Sequence, residues 1–560
     1  RHVYSPTSLI PLHPSSFFVE EVEGETVLTV VSNLEPKNYK AAVASEHGPA
    51  WLQAMIKEMK AQQLNGSWEL VDLPRDRKAI GCRWVYKIKM KAGKIDRFKA
   101  RLVAQGYSQI YGIDYLSTFA PVAKKETIRL LIVEAFLKGL NVDQLDVTTA
   151  FLNGTLDEEI FMKQAPGFKV KGKEDLVYKL KRAIYGLKQA GRTWHLLLAE
   201  WLLSQGFKRS YKDPCVFVKG TGLDKVIAII YVDDIIIITG TDKQRSDFWS
   251  AIRDRFKIGQ AEELDYILGI QIIRNENTLT FSQEHYAQAV LKRLCFENTR
   301  TRDVPLSKGS KLLPRDENDT RPVTFPYREC MGALLYLAVC TRPDIMTALS
   351  ILGRFQANPS ETHVKALKGV LKYIAGTTNH GLVYHKKMAN EPLYGISDSD
   401  HQIKHSRKKY EQDRESCYPR AGYAVMRGGA AVIWSSKHLK GTVSSSSEAE
   451  YRAGSECVKR VIWAQELLKE VGFDTPSPTK IQIDNQSAIR MSMNVASLHK
   501  TQHIRTDEMQ LTESFDRGDT FPEYIATDLN PADAFTKALG YKVFSRHKCI
   551  LMGTQETFSQ

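Results

Sequence analysis

Cysteine is scarce in this 560-residue chain, and none of its eight cysteines belongs to a C-x-x-C pair. Isolated cysteines argue against a zinc ribbon or a disulfide framework, and they predict an intracellular protein with reduced thiols. No apolar run approaches the roughly 18 residues that would span a bilayer. The first residues lack a signal-peptide pattern and open with Arg1 rather than Met, so we expect a piece of a larger precursor.

Acidic residues are outnumbered by basic ones, 64 against 78, which leaves a formal net charge of +14. A basic excess in a chain that also holds many acidic side chains predicts a polyanionic partner, with nucleic acid ahead of an anionic membrane. Hydrophobic residues make up 43% of the chain. The length is sufficient for roughly three to five domains with separate cores.

One stretch, VIAIIYVDDIIIITG over residues 226–240, carries the strongest signal for chemistry. Two runs rich in Ile and Val flank Asp233 and Asp234, which predicts a β-hairpin with two carboxylates at its tip. Carboxylates between apolar strands need a cation or a hydrogen-bonded partner, and a divalent metal is the simplest one. An ordinary Asp-Asp turn is the alternative, but Tyr231 and Val232 complete a Tyr-x-Asp-Asp sequence that resembles the metal-binding motif of reverse transcriptases.

A basic segment supplies a second feature typical of nucleic-acid enzymes. Residues 83–101 hold eight basic side chains against one acid, Asp96, and they alternate with aromatic and aliphatic residues. With a turn at Ala92 and Gly93, this alternation predicts a hairpin with one apolar face and one cationic face, which suits a phosphate clamp. A merely solvated face is the alternative, although such faces usually mix both signs.

A third carboxylate is expected from the segment VDQLDVTTAFLNG, residues 142–154. The pattern predicts a short strand that runs into a turn, with Asp146 at the strand end. Asp143 and Asp146 should point to opposite faces of a regular strand because their offset is three. We choose Asp146, which lies nearer the turn. In a two-metal polymerase, carboxylates from different strands hold two Mg²⁺ ions about 3.5–4 Å apart.

Nine stretches in chain order identify a family: ELVDLP, KARLVAQGYSQIYGIDY, TFAPV, QLDVTTAFLNG, YGLKQA, YVDD, YILGIQI, TRPDI and LKYIAGT. With them, residues 39–390 resemble the reverse transcriptase of copia-type (pseudoviral) long-terminal-repeat retrotransposons. The resemblance implies an α+β right-hand polymerase with fingers, palm, thumb and connection. It also implies that Asp146, Asp233 and Asp234 are the catalytic metal ligands.

The same resemblance implies which residues surround the incoming nucleotide. Phe151 would block a ribose 2′-hydroxyl and so select dNTPs. Gln189 would line the nucleotide pocket, and Tyr231 would also belong to the substrate-binding set. Lys99 or Arg101 would contact the triphosphate, and the sequence leaves open which of the two does so.

Four more carboxylates stand on separate elements after residue 391. Asp398 and Asp484 lie on predicted strands, Glu450 on a helix, and Asp533 in the first turn of a helix that Asn530 caps. Any one of them alone would be an ordinary surface acid, but together they fit a second two-metal site that directs water onto a phosphodiester. The pattern resembles an α/β RNase H-like domain, and the stretches SSSSEAEY, DNQSAI and ADAFTK are similar to those of copia-type elements.

Two stretches of this second domain depart from the family pattern. His401 stands where a Trp is usual, and the charged residues 404–415 interrupt the passage to the second strand. The segment HIRTDEMQLTESF, from His503, replaces a more aromatic helix. The charged segment could displace the strand of Asp398 and disable the site. The departures therefore bear on the RNase H activity more than on the polymerase activity.

The expected domain organisation follows from these assignments. A primer-grip hairpin is expected over residues 266–273, and the first thumb helix over residues 283–294. The segments are a linker at 1–36, reverse transcriptase fingers and palm at 37–282, thumb and connector at 283–326, connection helices at 327–390, an RNase H-like domain at 391–540, and a C-terminal tail at 541–560.

We therefore expect an RNA-directed DNA polymerase with two Mg²⁺ ions per active site, for which Mn²⁺ can substitute, and with ribonuclease H activity. The expected partners are an RNA template, a DNA or tRNA primer, the RNA:DNA hybrid, dNTPs, and the integrase and capsid parts of the polyprotein, but no membrane. The family implies cytoplasmic virus-like particles and later the nucleus. A decayed or domesticated copy that binds nucleic acid without catalysis is the alternative, and the intact palm aspartates argue against it.

Overall fold

A computed structural model describes residues 35–554 apart from 92–93, 148–149, 260–261, 311, 401–417, 440, 442, 444 and 494–508. The described helices are α1 (Tyr39–Ala44), α2 (Gly48–Leu64), α3 (Lys125–Lys138), α4 (Ala190–Ser204), α5 (Asp242–Arg255), α6 (Glu284–Arg293), α7 (Tyr327–Cys340), α8 (Met346–Gly353), α9 (Glu361–Ala375), α10 (Ser446–Glu470), α11 (Gln486–Met493), α12 (Gln510–Asp516) and α13 (Tyr541–Met552). No helix in this part of the chain combines the length and apolar character that crossing a membrane requires.

The described strands form five sheets. They are β1 (Trp68–Val71), β2 (Cys82–Lys91), β3 (Lys94–Ala104), β4 (Asn141–Asp146), β5 (Thr155–Met162), β6 (Val177–Arg182), β7 (Lys208–Arg209), β8 (Val216–Lys219), β9 (Val226–Tyr231), β10 (Asp234–Thr239), β11 (Glu262–Glu263), β12 (Tyr266–Ile267), β13 (Ile270–Arg274), β14 (Thr278–Ser282), β15 (Leu382–His385), β16 (Tyr394–Asp400), β17 (Arg420–Arg427), β18 (Ala430–His438), β19 (Thr479–Ile483) and β20 (Thr520–Tyr524).

Two compact units divide these elements. We name them the N-terminal unit, residues 35–123 and Asn141–Glu263, and the C-terminal unit, Lys124–Leu140 and residues 264–554. The contiguous segments expected from the sequence do not coincide with these units. Helix α3 lies within the expected fingers and palm segment but belongs to the C-terminal unit, and that unit resumes at residue 264 rather than at 283.

The N-terminal unit is built around an antiparallel sheet in the order β11-β4-β10-β9-β8-β7. The hairpin predicted over residues 226–240 is confirmed as β9 and β10. Ile235 to Ile238 are each at most 1% exposed. A continuous aliphatic run suits this position because both faces of the central strands are buried.

The predicted basic hairpin is confirmed as β2 paired with β3, although its turn at residues 92–93 lies outside the described residues. One face packs into the core of the N-terminal unit through Trp84, Tyr86, Ile88 and Leu102. The basic residues occupy the alternate positions, since side chains alternate across a strand. The sequence pattern therefore fixed both faces of this hairpin.

Helix α3 is buried on all sides within the C-terminal unit. Every residue from Thr127 to Leu137 is buried. Arg129 anchors it: its guanidinium donates hydrogen bonds to the carbonyl oxygens of Val432 at 2.7 Å and Cys340 at 2.7 Å. The same guanidinium lies 3.9 Å from the ring centroid of Trp434. A helix without a polar face needs cover on every side, and the C-terminal unit provides partners for it.

The helices predicted over residues 327–375 are all present, as α7, α8 and α9. A buried ion pair links them. Arg342 donates two hydrogen bonds, of 2.9 and 2.8 Å, to the carboxylate of Asp344, and one of 2.8 Å to the carbonyl oxygen of Thr377. The Tyr373 hydroxyl donates to Asp344 at 2.6 Å. Although burial opposes ionisation, Arg342 holds the pKa of Asp344 below its usual range. The motif TRPDI thus encodes a buried polar link between α7 and α9.

We expect Arg342→Leu to destabilise the C-terminal unit by roughly 3–5 kcal/mol, because it leaves the buried Asp344 carboxylate without its cation. Hydrogen exchange of amides in α7 and α9 under increasing urea measures this loss. Arg321→Leu is the control, since Arg321 pairs with Asp319 but has a 75% exposed side chain, and it should change exchange little. Equal effects of the two substitutions would contradict the assignment.

A five-stranded sheet in the order β18-β17-β16-β19-β20 completes the C-terminal unit. Strands β16 to β18 are antiparallel, whereas β16, β19 and β20 run parallel. Helix α10 packs so closely on β16 that a Cβ atom at Gly395 would lie 2.6 Å from Cys457 Sγ. Because parallel strands end at the same edge, residues at the ends of β16 and β19 become neighbours.

The end of the chain differs from expectation in two ways. The helix predicted around Asp533 is a short 3-10 helix, Pro531–Phe535, and the segment 541–560 predicted as a tail contains helix α13. Leu551 and Met552 of α13 are at most 1% exposed. One side of α13 is therefore part of the core, with Phe544, His547, Leu551 and Met552 buried.

Candidate active sites

A two-residue turn joins β9 and β10 at the predicted hairpin tip. Tyr231 ends β9 and pairs with Asp234, which begins β10. On its other side Asp234 pairs with Asp146, the last residue of β4. The register therefore brings the positions of Asp146, Asp233 and Asp234 to one end of the sheet, as the sequence predicted.

Backbone strain marks this turn. Val232 has a φ of 57°, in the left-handed region that β-branched residues rarely adopt, at a cost on the order of 1–3 kcal/mol. Trp194 of α4 is fully buried, and its Nε1 donates a 2.8 Å hydrogen bond to the carbonyl oxygen of Val232. The indole thereby holds the strained peptide next to the two aspartates.

Asp143, which the strand periodicity predicted to point away from the side of Asp146, is engaged by an arginine. The buried Asp143 accepts two hydrogen bonds from Arg245, of 2.7 and 2.5 Å, and this bidentate pair occupies its carboxylate. Burial raises the pKa of Asp143 while Arg245 opposes that rise. The side chain of Asp146 lies outside the described part of the chain. Beside it, Gln144 Nε2 donates a 3.1 Å hydrogen bond to Asp234 Oδ1.

Two aromatic rings and a guanidinium pack together at the predicted nucleotide site. Phe151, in a 3-10 helix at Ala150–Asn153, meets the Tyr185 ring edge-on with 4.9 Å between centroids. The Arg101 guanidinium lies 4.7 Å from the Tyr185 centroid. Lys99 lies two residues before Arg101 on β3, which places both on the same face of the strand.

Gln189 is buried immediately before α4, and protein groups surround its amide. Gln109 Nε2 donates to Gln189 Oε1 at 3.0 Å. Gln189 Nε2 donates to the carbonyl oxygen of Asp114 at 2.8 Å and to Glu158 Oε2 at 3.2 Å. A contact with a nucleotide would have to replace one of these bonds, so that role stays a prediction.

The C-terminal unit gathers the four other carboxylates predicted from the sequence. Carboxylate oxygens of Asp398, Asp484 and Asp533 lie within 4.8 Å of one another. Glu450 joins them from α10, where its Oε1 accepts a 3.1 Å hydrogen bond from the backbone amide of Ser399. Its Oε2 is buried and has no hydrogen-bond partner among the described residues. Four sequence-distant acids thus share one site.

The electrostatics of this site favour a bound cation. Burial, and then the neighbouring Asp533, raise the pKa of Asp398 to about 8. Burial, and then Asp398 and Asp484, raise the pKa of Glu450 to about 10. Such shifts mean that the carboxylates together resist losing their protons unless positive charge is supplied. An all-oxygen donor set with an orphaned buried carboxylate oxygen fits Mg²⁺ or Mn²⁺.

The segment after β20 positions two members of the site. Asn530 is fully buried and caps the 3-10 helix of Asp533 by accepting a 3.1 Å hydrogen bond from the Ala532 amide, which confirms the predicted cap. Its Nδ2 donates to the carbonyl oxygen of Ser397 at 2.9 Å. Thr536 Oγ1 donates to Asp398 Oδ2. Asp533 and Asp398 are therefore linked by one short stretch of chain.

Three residues at these sites were missed by sequence reasoning. Trp194 gave no signal, because its link to the hairpin turn spans 38 positions. Thr536 gave none either. Lys537 could have been found, since it follows Asp533 by four residues and its Nζ lies 2.7 Å from Asp533 Oδ1.

Comparisons with known proteins show which family the chain resembles. Residues 65–308 match the family model described as reverse transcriptase (RNA-dependent DNA polymerase). The chain is 35% identical over 520 residues to the retrovirus-related Pol polyprotein from transposon TNT 1-94 of Nicotiana tabacum, covering 90% of this chain and 38% of the relative. It is 36% identical over 522 residues to the Pol polyprotein from transposon RE2 of Arabidopsis thaliana, covering 92% of this chain and 34% of the relative.

A shorter relative is matched over its whole length. The chain is 30% identical over 319 residues to the putative transposon Ty5-1 protein of Saccharomyces cerevisiae, which covers 57% of this chain and 100% of the relative. By contrast, the chain spans only 38% and 34% of the two plant polyproteins.

Proposed function

The chain belongs to the reverse transcriptase family of copia-type retrotransposon Pol polyproteins, and on that basis we propose that it is an RNA-directed DNA polymerase. Its reaction is the template-directed addition of a dNTP to a primer 3′-hydroxyl with release of pyrophosphate. The observation that carries the proposal is the strained turn at Val232, which sets Asp233 and Asp234 beside the position of Asp146. The N-terminal unit then corresponds to the fingers and palm.

Asp146, Asp233 and Asp234 would hold divalent cations at this turn, Mg²⁺ first and Mn²⁺ as a substitute, because carboxylate oxygens are hard ligands. When bound, two such cations activate the primer hydroxyl and steady the leaving pyrophosphate. The protein's part is to keep the ligands in place. Trp194 secures the turn, and Gln144 orients Asp234 through its amide.

The basic hairpin and the aromatic stack complete the proposed nucleotide site. The apolar face of the β2–β3 hairpin packs into the core, which leaves the basic side chains on the face away from the core. Such a cationic face suits phosphate groups. Of the two candidate cations, Arg101 is favoured over Lys99, since Arg101 stacks on Tyr185, which contacts Phe151. Phe151 would then face the sugar while Arg101 faces the triphosphate.

We expect Phe151→Ala to lower the preference for dNTP over rNTP by roughly tenfold or more, since one apolar contact discriminates by about 1–3 kcal/mol. Single-nucleotide primer extension with each nucleotide type measures this ratio. Phe151→Tyr retains the ring and should keep most of the preference. If Phe151→Ala leaves the ratio unchanged, Phe151 serves only in packing against Tyr185.

The C-terminal unit supports a second activity, cleavage of the RNA strand in an RNA:DNA hybrid by an RNase H-like domain. The convergence of Asp398, Asp484 and Asp533 at the ends of β16 and β19 and on the last 3-10 helix carries this proposal. Glu450 supplies the fourth carboxylate from α10. These four residues would hold divalent cations and orient the attacking water.

The strand of Asp398 bears on whether this site is intact. It keeps its register with both β17 and β19, although the charged residues 404–415 that follow it lie outside the described part of the chain. A displaced strand would have lost those ladders, so the register supports an active site rather than a decayed one. His401 and the start of the segment at His503 also lie outside the described residues.

Primer extension on a homopolymer RNA template with Mg²⁺ tests the main proposal against the alternative of a protein that binds nucleic acid without catalysis. Extension by the chain supports the polymerase. Binding of the primer-template without extension in Mg²⁺ or Mn²⁺ would favour the alternative. We also propose that the chain acts on an RNA template with a DNA or tRNA primer, inside a particle and alongside integrase and capsid parts. These partners are proposals because the chain spans about a third of its plant relatives.

A further inference from the structure

Lys537 lies against the acidic site of the C-terminal unit. Its Nζ is 2.7 Å from Asp533 Oδ1, and its backbone amide donates a 3.4 Å hydrogen bond to the Asp533 carbonyl oxygen, so a single turn of chain holds the lysine beside this carboxylate. Among the described residues, no other cation lies within ion-pair distance of Asp398, Glu450, Asp484 or Asp533. In the part of the chain that the structure describes, the site therefore has one positive charge for four acids.

The charge of Lys537 acts on the whole cluster. The carboxylate oxygens of Asp398, Asp484 and Asp533 lie within 4.8 Å of one another, so an ammonium 2.7 Å from Asp533 Oδ1 attracts all three at short range. The ammonium group thus provides part of the compensation that a metal ion would provide.

The side chain of Lys537 is also able to leave. It is 41% exposed, whereas the side chain of Asp533 is 9% exposed, so the lysine reaches the site from its solvent side. A lysine carries its charge on a flexible four-carbon stem, and it can move its ammonium into water at small cost. Thr536 and Asn530 would still hold Asp398 and the 3-10 helix in place after such a movement.

We infer that Lys537 is the built-in counter-cation of this acidic site, which compensates the carboxylates without metal and competes with divalent cations for them. The inference rests on the proposed RNase H-like function of the site. Removing the charge at position 537 should therefore tighten divalent cation binding and weaken the metal-free fold. A plain surface ion pair would do neither, and a residue that orients Asp533 for the metal would do the opposite.

Calorimetric titration of the full-length chain with Mn²⁺ tests this, in an Asp233→Asn background that suppresses binding at the polymerase site. Lys537→Met should lower the Kd of the remaining site by about fivefold or more, because like charges a few ångströms apart repel even near a surface. Lys537→Arg retains the charge and should change the Kd by less than about twofold. Lys459→Met is the matched control, since Lys459 pairs with Glu456 one turn away on α10 at 3.0 Å and is 34% exposed.

The melting temperature gives a second measurement that stands if Lys537→Met folds poorly without metal. That variant should melt lower than the parent in EDTA and gain more on addition of Mn²⁺. An unchanged or higher Kd, or an equal gain in melting temperature, overturns the inference. So does a titration that Asp484→Asn leaves unaltered, because no cation site would then exist for Lys537 to occupy. If Mn²⁺ binds and Lys537→Met tightens it while the parent cleaves no hybrid, the proposed cleavage fails and the inference stands.

Discussion

Asp233→Asn should reduce dNTP incorporation by about a thousandfold or more, because metal-borne charge stabilisation is worth several kcal/mol and each ~1.4 kcal/mol is a factor of ten. Asn has nearly the same volume as Asp but cannot supply an anionic ligand. Asp233 lies in the turn whose strain Trp194 maintains, and it is only half-buried, so the substitution should leave the fold intact. Asp146→Asn should act in the same way, since residue 146 pairs with Asp234 across the sheet.

Steady-state primer extension on an RNA template provides the measurement, and the thermal unfolding curve provides the check on folding. Asp247→Asn is the matched control, because it makes the same substitution at an exposed position on α5, the helix after the hairpin. Its incorporation rate should equal that of the parent. Incorporation by Asp233→Asn within about tenfold of the parent would refute the metal assignment.

Asp484→Asn should abolish cleavage of the RNA strand in a hybrid, with a fall of about a hundredfold or more, while leaving dNTP addition nearly unchanged. The carboxylate of Asp484 lies within 4.8 Å of those of Asp398 and Asp533, so its loss removes one of three converging ligands. Asp146, Asp233 and Asp234 belong to the other compact unit. Metal ligation in one unit does not require the carboxylates of the other, and the two activities should separate.

Both activities should be measured on the same preparation, with a labelled RNA:DNA hybrid for cleavage and a primer-template for extension. Asp474→Asn, at an exposed position shortly before β19, is the matched control and should keep both activities. Loss of extension in Asp484→Asn would contradict two independent sites. Absence of Mg²⁺- or Mn²⁺-dependent cleavage in the parent would instead show that the second site is already disabled, with that domain serving as a basic platform for the duplex.

The features that could be predicted from the sequence are those with a strong local pattern of apolar and acidic residues. Two aliphatic runs around an Asp pair predict a buried hairpin with its tip at Asp233 and Asp234. The structure contains this hairpin. The two-residue period of a strand placed Asp143 and Asp146 on opposite faces, and Asp146 was chosen because it lies nearer the turn. Arg245 does occupy Asp143. The four acids after residue 391 were likewise predictable as carboxylates on separate elements, three of them expected at strand or helix ends.

Other features depend on contacts between residues far apart in sequence. Nothing in the spacing of residues 124–140 indicates that α3 leaves the unit on either side of it and packs in the C-terminal unit, where Arg129 reaches Val432, 303 positions away. Periodicity identifies a helix and its apolar face, but a helix that is apolar all round can be buried by any neighbour.

Sequence alone therefore determined the two sets of carboxylates, the strands and helices that bear them, and the family that they indicate. Tertiary structure alone decided which partners complete each site. The strained Val232 is secured by Trp194, and the second acid cluster is compensated by Lys537. The reason is physical: a strand or helix period is set by backbone geometry within a few residues. The hydrogen bonds and charges that tune a site come from whichever chain segments packing brings within a few ångströms.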